Sequence, residues 1–128
     1  MVTPNGYATM GGGFADIGLD NQDVGRGGFT RKVTDEGKFK IPSLRNVELT
    51  APYMHDGRFQ TLDEVLDHYS VDIQDTPNLD ARLTNKDGTP KRMNIPENDK
   101  RAIIAFLKTL TDYKVVTDSK FASPFKDQ

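Results

Sequence analysis

The segment "TLDEVLDHY", residues 61–69, constrains the fold more than any other stretch of the chain. Thr61 and Glu64 stand at the spacing of a capping box, in which each side chain satisfies the other's free backbone amide. Leu62, Val65, Leu66 and Tyr69 recur at i, i+3, i+4 and i+7, so they share one face of a helix. Asp63 and Glu64 suit the positive end of that helix. His68 then falls on the opposite face, four residues after Glu64, and reads as a solvated residue paired with that carboxylate. A second helix is predicted through "ENDKRAIIAFLKTLTD", started by Pro96, with Ile103, Phe106, Leu107 and Leu110 at the same spacing.

Elsewhere the chain resists regular structure. Eight of the 11 glycines lie in residues 1–28, a density whose entropic cost predicts loops. The stretch "GRGGFTRK" lacks both a preceding strand and a closing GKS or GKT, so it reads as a solvated loop rather than a phosphate cradle. Pro42 holds Ile41 extended, and Ser43 is placed to cap a short turn with Leu44 and Val47 on one side. Residues 72–95 form a long connection, and the tail from Tyr113 is expected to fold back over the surface or fray.

A chain of 128 residues fits one domain, residues 1–128. Its hydrophobic fraction of 35% and lack of tryptophan predict a thin core. Basic and acidic residues nearly balance, 17 against 19, which argues against nucleic acid or a membrane surface as the main partner. No apolar run approaches the ~18 residues of a membrane span, and no export signal is visible in the opening residues. The absence of cysteine excludes disulfides, thiolate metal sites, thiol nucleophiles and covalent haem attachment within this chain. The reading is therefore mainly α, with few helices and long irregular loops. Two helices of this size bury too little apolar area to order roughly 80 loop residues. A large apolar cofactor, a missing helix or a partner chain would each redress that.

The run "GKFKIPSLRNVELTAPYMHDGRFQTLDEVLDHY", together with "AIIAFLKTLTD", resembles the C-terminal haem domain of the bacterial di-haem cytochrome c peroxidases. The same group includes the methylamine-utilisation enzyme that matures a tryptophan cofactor. The likeness covers residues 13–112 and leaves the tail, 113–128, outside it. It implies an incomplete cytochrome c-like domain. Family members carry two CXXCH motifs, each fastening a haem c; this chain has neither, and it reads as a fragment C-terminal to the second, with a natural stand-alone module as the other reading. The implied activity is reduction of hydrogen peroxide in the periplasm. Electrons pass from a small donor protein through the C-terminal haem to a peroxidatic haem in the N-terminal haem domain. This chain alone is not expected to turn over. The alternative is a haem-free interaction module that forms a homodimer through the surface where haem would sit.

The resemblance also implies roles for particular residues. Tyr69 falls where the family places the distal axial ligand of the C-terminal haem, Met in the peroxidases and Tyr in the maturation branch. A phenolate there stabilises ferric iron; alternatively Tyr69 only completes the apolar stripe. His55 would lie near that haem and the domain interface, bonding a propionate or organising the electron path, or would simply be satisfied by backbone in a turn with Asp56 and Gly57. Arg45 suits a haem propionate by its bidentate fork, or a salt bridge to Asp56 or Glu48. Thr50 and Pro52 correspond to backbone carbonyls that bind calcium, a cation that prefers hard oxygen ligands, or else mark a constrained turn. A zinc site from His55, Asp56 and His68 has weak spacing. The acid pairs at 35–36 and 63–64 read as solvated faces rather than a general acid and base.

Overall fold

The structure, a computed structural model, describes residues 13–123. Part of the glycine-rich start and the last five residues of the tail lie outside the described residues. Four α-helices and one two-stranded sheet make up the regular structure there, so the protein is mainly α.

The sheet is minimal. Strand β1 (Phe14–Ala15) pairs antiparallel with β2 (Phe39–Lys40), placing Ala15 opposite Phe39. Between them lies α1 (Arg26–Thr30), where the glycine content predicts only loop. Tertiary pairing overrides propensity here. The Gly27 amide donates to Val24 O and that of Arg31 to Gly27 O, while Arg26 N reaches Lys38 O at 2.9 Å. Gly27 is buried beneath Glu36, which has no room for a side chain below it.

Helix α2 (Leu62–Asp67) starts as the sequence requires. Glu64 N donates to Thr61 Oγ1 at 3.2 Å, and Thr61 N donates back to Glu64 Oε2 at 3.0 Å. The same carboxylate accepts from Gln60 N at 2.6 Å. Leu62 and Leu66 are buried, and burying such side chains stabilises by about 1.5–3 kcal/mol each. Past Asp67 the helix widens into a π-turn, His68–Asp72, which delivers Ile73 to the centre of the core at 0% exposure.

Helix α3 (Glu97–Thr109) begins at Pro96, which needs no amide at that position, and carries Lys108 in its last turn. It packs on α2 and on the turn Val47–Leu49, with Lys100 paired to Asp67 and Lys108 to Glu48. Its predicted apolar face is real but incompletely covered: no residue of α3 is buried, and Phe106 is 58% exposed. Beyond it, α4 (Tyr113–Thr117) is capped by Asp112, whose side chain accepts from Lys114 N at 3.0 Å, so the start of the tail is helical rather than frayed.

The core is small and half polar. Among the described residues Ala15, Leu19, Leu62, Leu66 and Ile73 are buried, alongside Asp16, His68, Ser70, Thr76 and Asp80. Residues 16–20 run through it as an irregular segment, bent at Gly18, whose backbone is bonded to the long connection. Asp80 N donates to Asp16 O at 2.9 Å and Gln74 N to Gly18 O at 2.8 Å. Those bonds order the 72–95 connection, which also folds into a short turn, Ala81–Leu83, capped by Asp80.

Candidate functional site

The His-Asp-Gly motif sits at the tip of a closed loop. Tyr53 N donates to Phe59 O at 2.7 Å, and Gly57 N donates to Met54 O at 3.4 Å. Tyr53 also donates its hydroxyl to Val47 O at 3.0 Å; burial and the nearby Glu48 charge push its phenol up. His55 is thereby aimed back at the small sheet. Its ring stacks on Phe39 with centroids 3.6 Å apart and planes 12° from parallel. Its Nε2 lies 3.5 Å from Asp23 Oδ2, and the side chain is only 19% exposed. The histidine is held by an aromatic face and a carboxylate, not by backbone groups within its own turn.

Asp56 turns to a different partner. Arg58 donates Nε to Asp56 Oδ2 at 2.8 Å, Nη1 to Leu19 O at 3.2 Å, and Nη2 to the Asp20 carboxylate. The guanidinium holds both carboxyls below the usual carboxylate range, and they raise it in turn. Arg58 thus clamps the loop to residues 19–20. Nothing in the spacing of "HDGR" shows this clamp, because its other two partners lie 38 and 39 residues away.

His68 requires a correction. It is not a solvated partner of Glu64, whose carboxylate is occupied by the Gln60 and Thr61 amides. It is 3% exposed, and its Nε2 lies 2.8 Å from the Ile17 carbonyl. A carbonyl only accepts, so Nε2 carries the proton. Burial lowers its pKa, against smaller opposing effects of that hydrogen bond and Asp72. The helix is still regular at this residue, whose own amide bonds Glu64 O; His68 is buried because the segment carrying Ile17 covers the face that the local pattern assigns to solvent.

Tyr69, beside it, is half-buried, with its ring edge-on to His68 at 5.2 Å. Burial pushes its phenol up, partly countered by Arg82, and no hydrogen bond engages its hydroxyl among the described residues. Phe59 completes the aromatic group, 5.8 Å from His68.

Arg45 lies elsewhere. Its Nη2 pairs with Asp112 Oδ2 at 3.0 Å rather than with Asp56 or Glu48, and the side chain is 69% exposed. Glu48 is taken by Thr111 Oγ1, Tyr113 and Lys108. Asn46 completes the stitching: its amide donates to Leu110 O, and its Oδ1 accepts from Asp112 N at 2.6 Å. Ser43 accepts from Arg45 N at 3.2 Å, which bends the chain without starting a helix. Ser43, Leu44 and Arg45 on one side and residues 109–112 with Lys114 on the other line an open cleft of about 810 Å³ between the "SLRN" loop and the end of α3. Thr50 and Pro52 are exposed, and neither carbonyl accepts a hydrogen bond from the described residues.

Among the described residues no group of three His, Cys, Asp or Glu side chains could hold a metal ion, so the His55–Asp56–His68 zinc set is not assembled. No helix there is long and apolar enough to cross a membrane.

Comparison with known proteins gives one consistent relationship. The chain is 38% identical over 100 residues to the methylamine utilization protein MauG of Methylorubrum extorquens, covering 76% of this chain and 26% of that one. It is 36% identical over 113 residues to the cytochrome c551 peroxidase of Nitrosomonas europaea, covering 84% of this chain and 29% of the peroxidase. A solved MauG-like protein associated with microbial copper homeostasis superposes with a TM-score of 0.70 and 34% identity, over 89% of this chain and 37% of that one. The chain therefore spans about a quarter of the length of the curated relatives it matches. No family model matches it.

Proposed function

We propose that this chain, a homologue of MauG and of the di-haem cytochrome c peroxidases, forms the distal wall of a haem site in a cytochrome c-like domain. The observation that carries the reading is Tyr69: a half-buried phenol whose hydroxyl meets no hydrogen-bond partner among the described residues, just past a capped helix; the resemblance implies the family's distal ligand at this position. When bound, the haem would supply the redox chemistry of peroxide reduction or cofactor maturation.

The residues fit one side of such a group. Tyr69 suits an axial ligand, and an anionic oxygen donor favours the ferric state. Neither histidine is free as a further donor, since His68 is bonded to Ile17 O and His55 is held between Phe39 and Asp23, and the absence of cysteine rules out covalent attachment of a haem to this chain. Arg45 reaches a propionate only by sharing or releasing Asp112. His55 would keep its ring plane on Phe39 and offer its edge to the interface. Thr50 and Pro52 present carbonyls that accept no hydrogen bond from the described residues and would suit calcium, at a site that a neighbouring domain would have to complete. The N-terminal haem domain, the small donor protein and the periplasmic setting follow from the same reading.

A second reading, self-association as a haem-free module, is favoured by the thinly covered α3 face, where Phe106 is 58% exposed. The two readings separate in one experiment. The chain is joined behind an upstream domain carrying two CXXCH motifs and matured in an exporting host, and the haem midpoint potentials are measured. Tyr69→Met is expected to raise one potential. An unchanged potential, with the isolated chain a dimer by light scattering, would favour the interaction module instead.

A further inference from the structure

We infer that His68 is a positioning residue for Tyr69, anchoring the turn that carries the phenol to a row of backbone carbonyls shared with the His55 loop. The inference rests on the reading of Tyr69 as the haem-facing residue, but its geometry is independent of haem.

Four consecutive carbonyls, from residue 16 to residue 19, each accept a bond from a different part of the chain. Asp80 N bonds Asp16 O, His68 Nε2 bonds Ile17 O, Gln74 N bonds Gly18 O, and Arg58 Nη1 bonds Leu19 O. Two of the four donors are side chains, and these two flank the candidate site. Arg58 ties in the loop that aims His55, and His68 ties in the turn that aims Tyr69. The segment 16–20 is thus a common spine that fixes both residues relative to each other.

The turn itself needs such an anchor. The π-turn at His68–Asp72 has no side-chain cap at its start, and wide turns are weakly held by their own backbone. Outside bonds hold it on both sides of Tyr69. His68, 3% exposed, reaches Ile17 O, while Ser70, also 3% exposed, accepts from Ile95 N at 2.8 Å and through its carbonyl from Asn94 N at 3.0 Å. Tyr69 stands between two buried, bonded neighbours while its own hydroxyl meets no hydrogen-bond partner among the described residues. Its direction is set by its neighbours, which leaves the phenol oxygen available to a ligand.

Two substitutions separate the hydrogen bond from mere packing. His68→Phe keeps a flat ring against Phe59 and Tyr69 but removes the donor, stranding the Ile17 carbonyl. His68→Gln keeps an N–H donor at similar reach. The first measurement is 15N NMR of the wild-type imidazole, which should show the Nε2–H tautomer with slow solvent exchange. The second follows the Tyr69 ring signals, assigned with Tyr69→Phe. They should move in His68→Phe, return close to wild type in His68→Gln, and stay put in Leu66→Val, which trims the same helix without touching the anchor. In a third, ferric haem is added to the chain; the Tyr69-dependent spectral change should weaken about tenfold in His68→Phe, the size of one lost hydrogen bond, and recover in His68→Gln. An Nδ1–H tautomer, fixed ring signals in His68→Phe, or equal movement in Leu66→Val would overturn the inference. If His68→Phe does not fold, the wild-type tautomer and exchange decide alone. Ring signals that respond as expected, with no Tyr69-dependent haem spectrum, would keep the anchor and remove the ligand reading.

Discussion

Gly18 lies in the middle of the carbonyl spine, and replacing it by alanine tests how firmly that spine is held. Its φ is +66°, and a Cβ built there would lie 2.6 Å from Gln74 O and 2.7 Å from Ile73 Cγ2. Gly88 provides the control, since its φ is +88° and an added Cβ would meet nothing within 4 Å. Left-handed backbone costs an alanine about 1–2 kcal/mol, offset in part by about 0.4–1 kcal/mol from a less flexible unfolded chain. Gly88→Ala should therefore cost about 1 kcal/mol or less. Gly18→Ala adds overpacking against the fully buried Ile73, about 1–3 kcal/mol. Pushing the Gln74 carbonyl away also breaks the Gln74 N to Gly18 O bond, about 0.5–1.5 kcal/mol. The sum is about 1.5–5.5 kcal/mol, a large share of the stability of a small domain. Urea unfolding of the three proteins at equal slope measures the difference directly. Equal losses at the two glycines would show that residues 16–20 yield easily, and the spine argument would collapse with them.

Two further outcomes follow from the same contacts. Thr61→Ala should cost about 1 kcal/mol by urea unfolding, and Glu64→Ala a similar amount; the double variant should cost less than the two together, because each half of the capping box depends on the other, and strict additivity would contradict the reciprocal geometry. Acid should destabilise the protein in two stages. His68 has a folded pKa below its unfolded value, so its contribution is complete above about pH 6.5 and is lost as pH falls through the lower folded value. Asp20 and Asp56, depressed by Arg58, add a second loss below about pH 4. Chemical unfolding across pH 3–8 would expose a misassigned His68 if stability stayed flat between pH 7 and pH 5.

What the sequence revealed and what it hid divide along sequence separation. The capping box joins residues three apart, so the pattern at Thr61 and Glu64 is enough to place the start of α2. The α3 stripe is equally local, and Pro96 marks its beginning as read. The glycine-rich stretch misled because α1 forms by pairing with Lys38 and by burial under Glu36, neither of which is visible in local propensity. His68 misled for a sharper reason. The helix period holds at His68, but the face it points to is covered by a segment 51 residues earlier in the chain, which no local pattern registers. Arg45 is expected to meet a haem propionate, Asp56 or Glu48; the carboxylate it meets is that of Asp112, 67 residues on.

The division also explains why the residues named for chemistry were easier to find than those that hold them. Tyr69 and His55 stand in the contiguous motif that carries the family resemblance. Their supports, Ile17, Leu19, Asp20 and Asp23, contribute mainly backbone oxygens and carboxylates from a segment that spells little. A carbonyl acceptor is supplied by every residue type, so substitution leaves it in place and sequence carries no mark of it. Only the donors are specified, and they sit in the motif: Arg58 directly after "HDG", and His68 directly before Tyr69. Each is therefore placed to fix its neighbour on a backbone that the sequence does not advertise. Removing either donor should disturb its own half of the site first, and disturbance of both halves by one substitution would mean that the spine itself had moved.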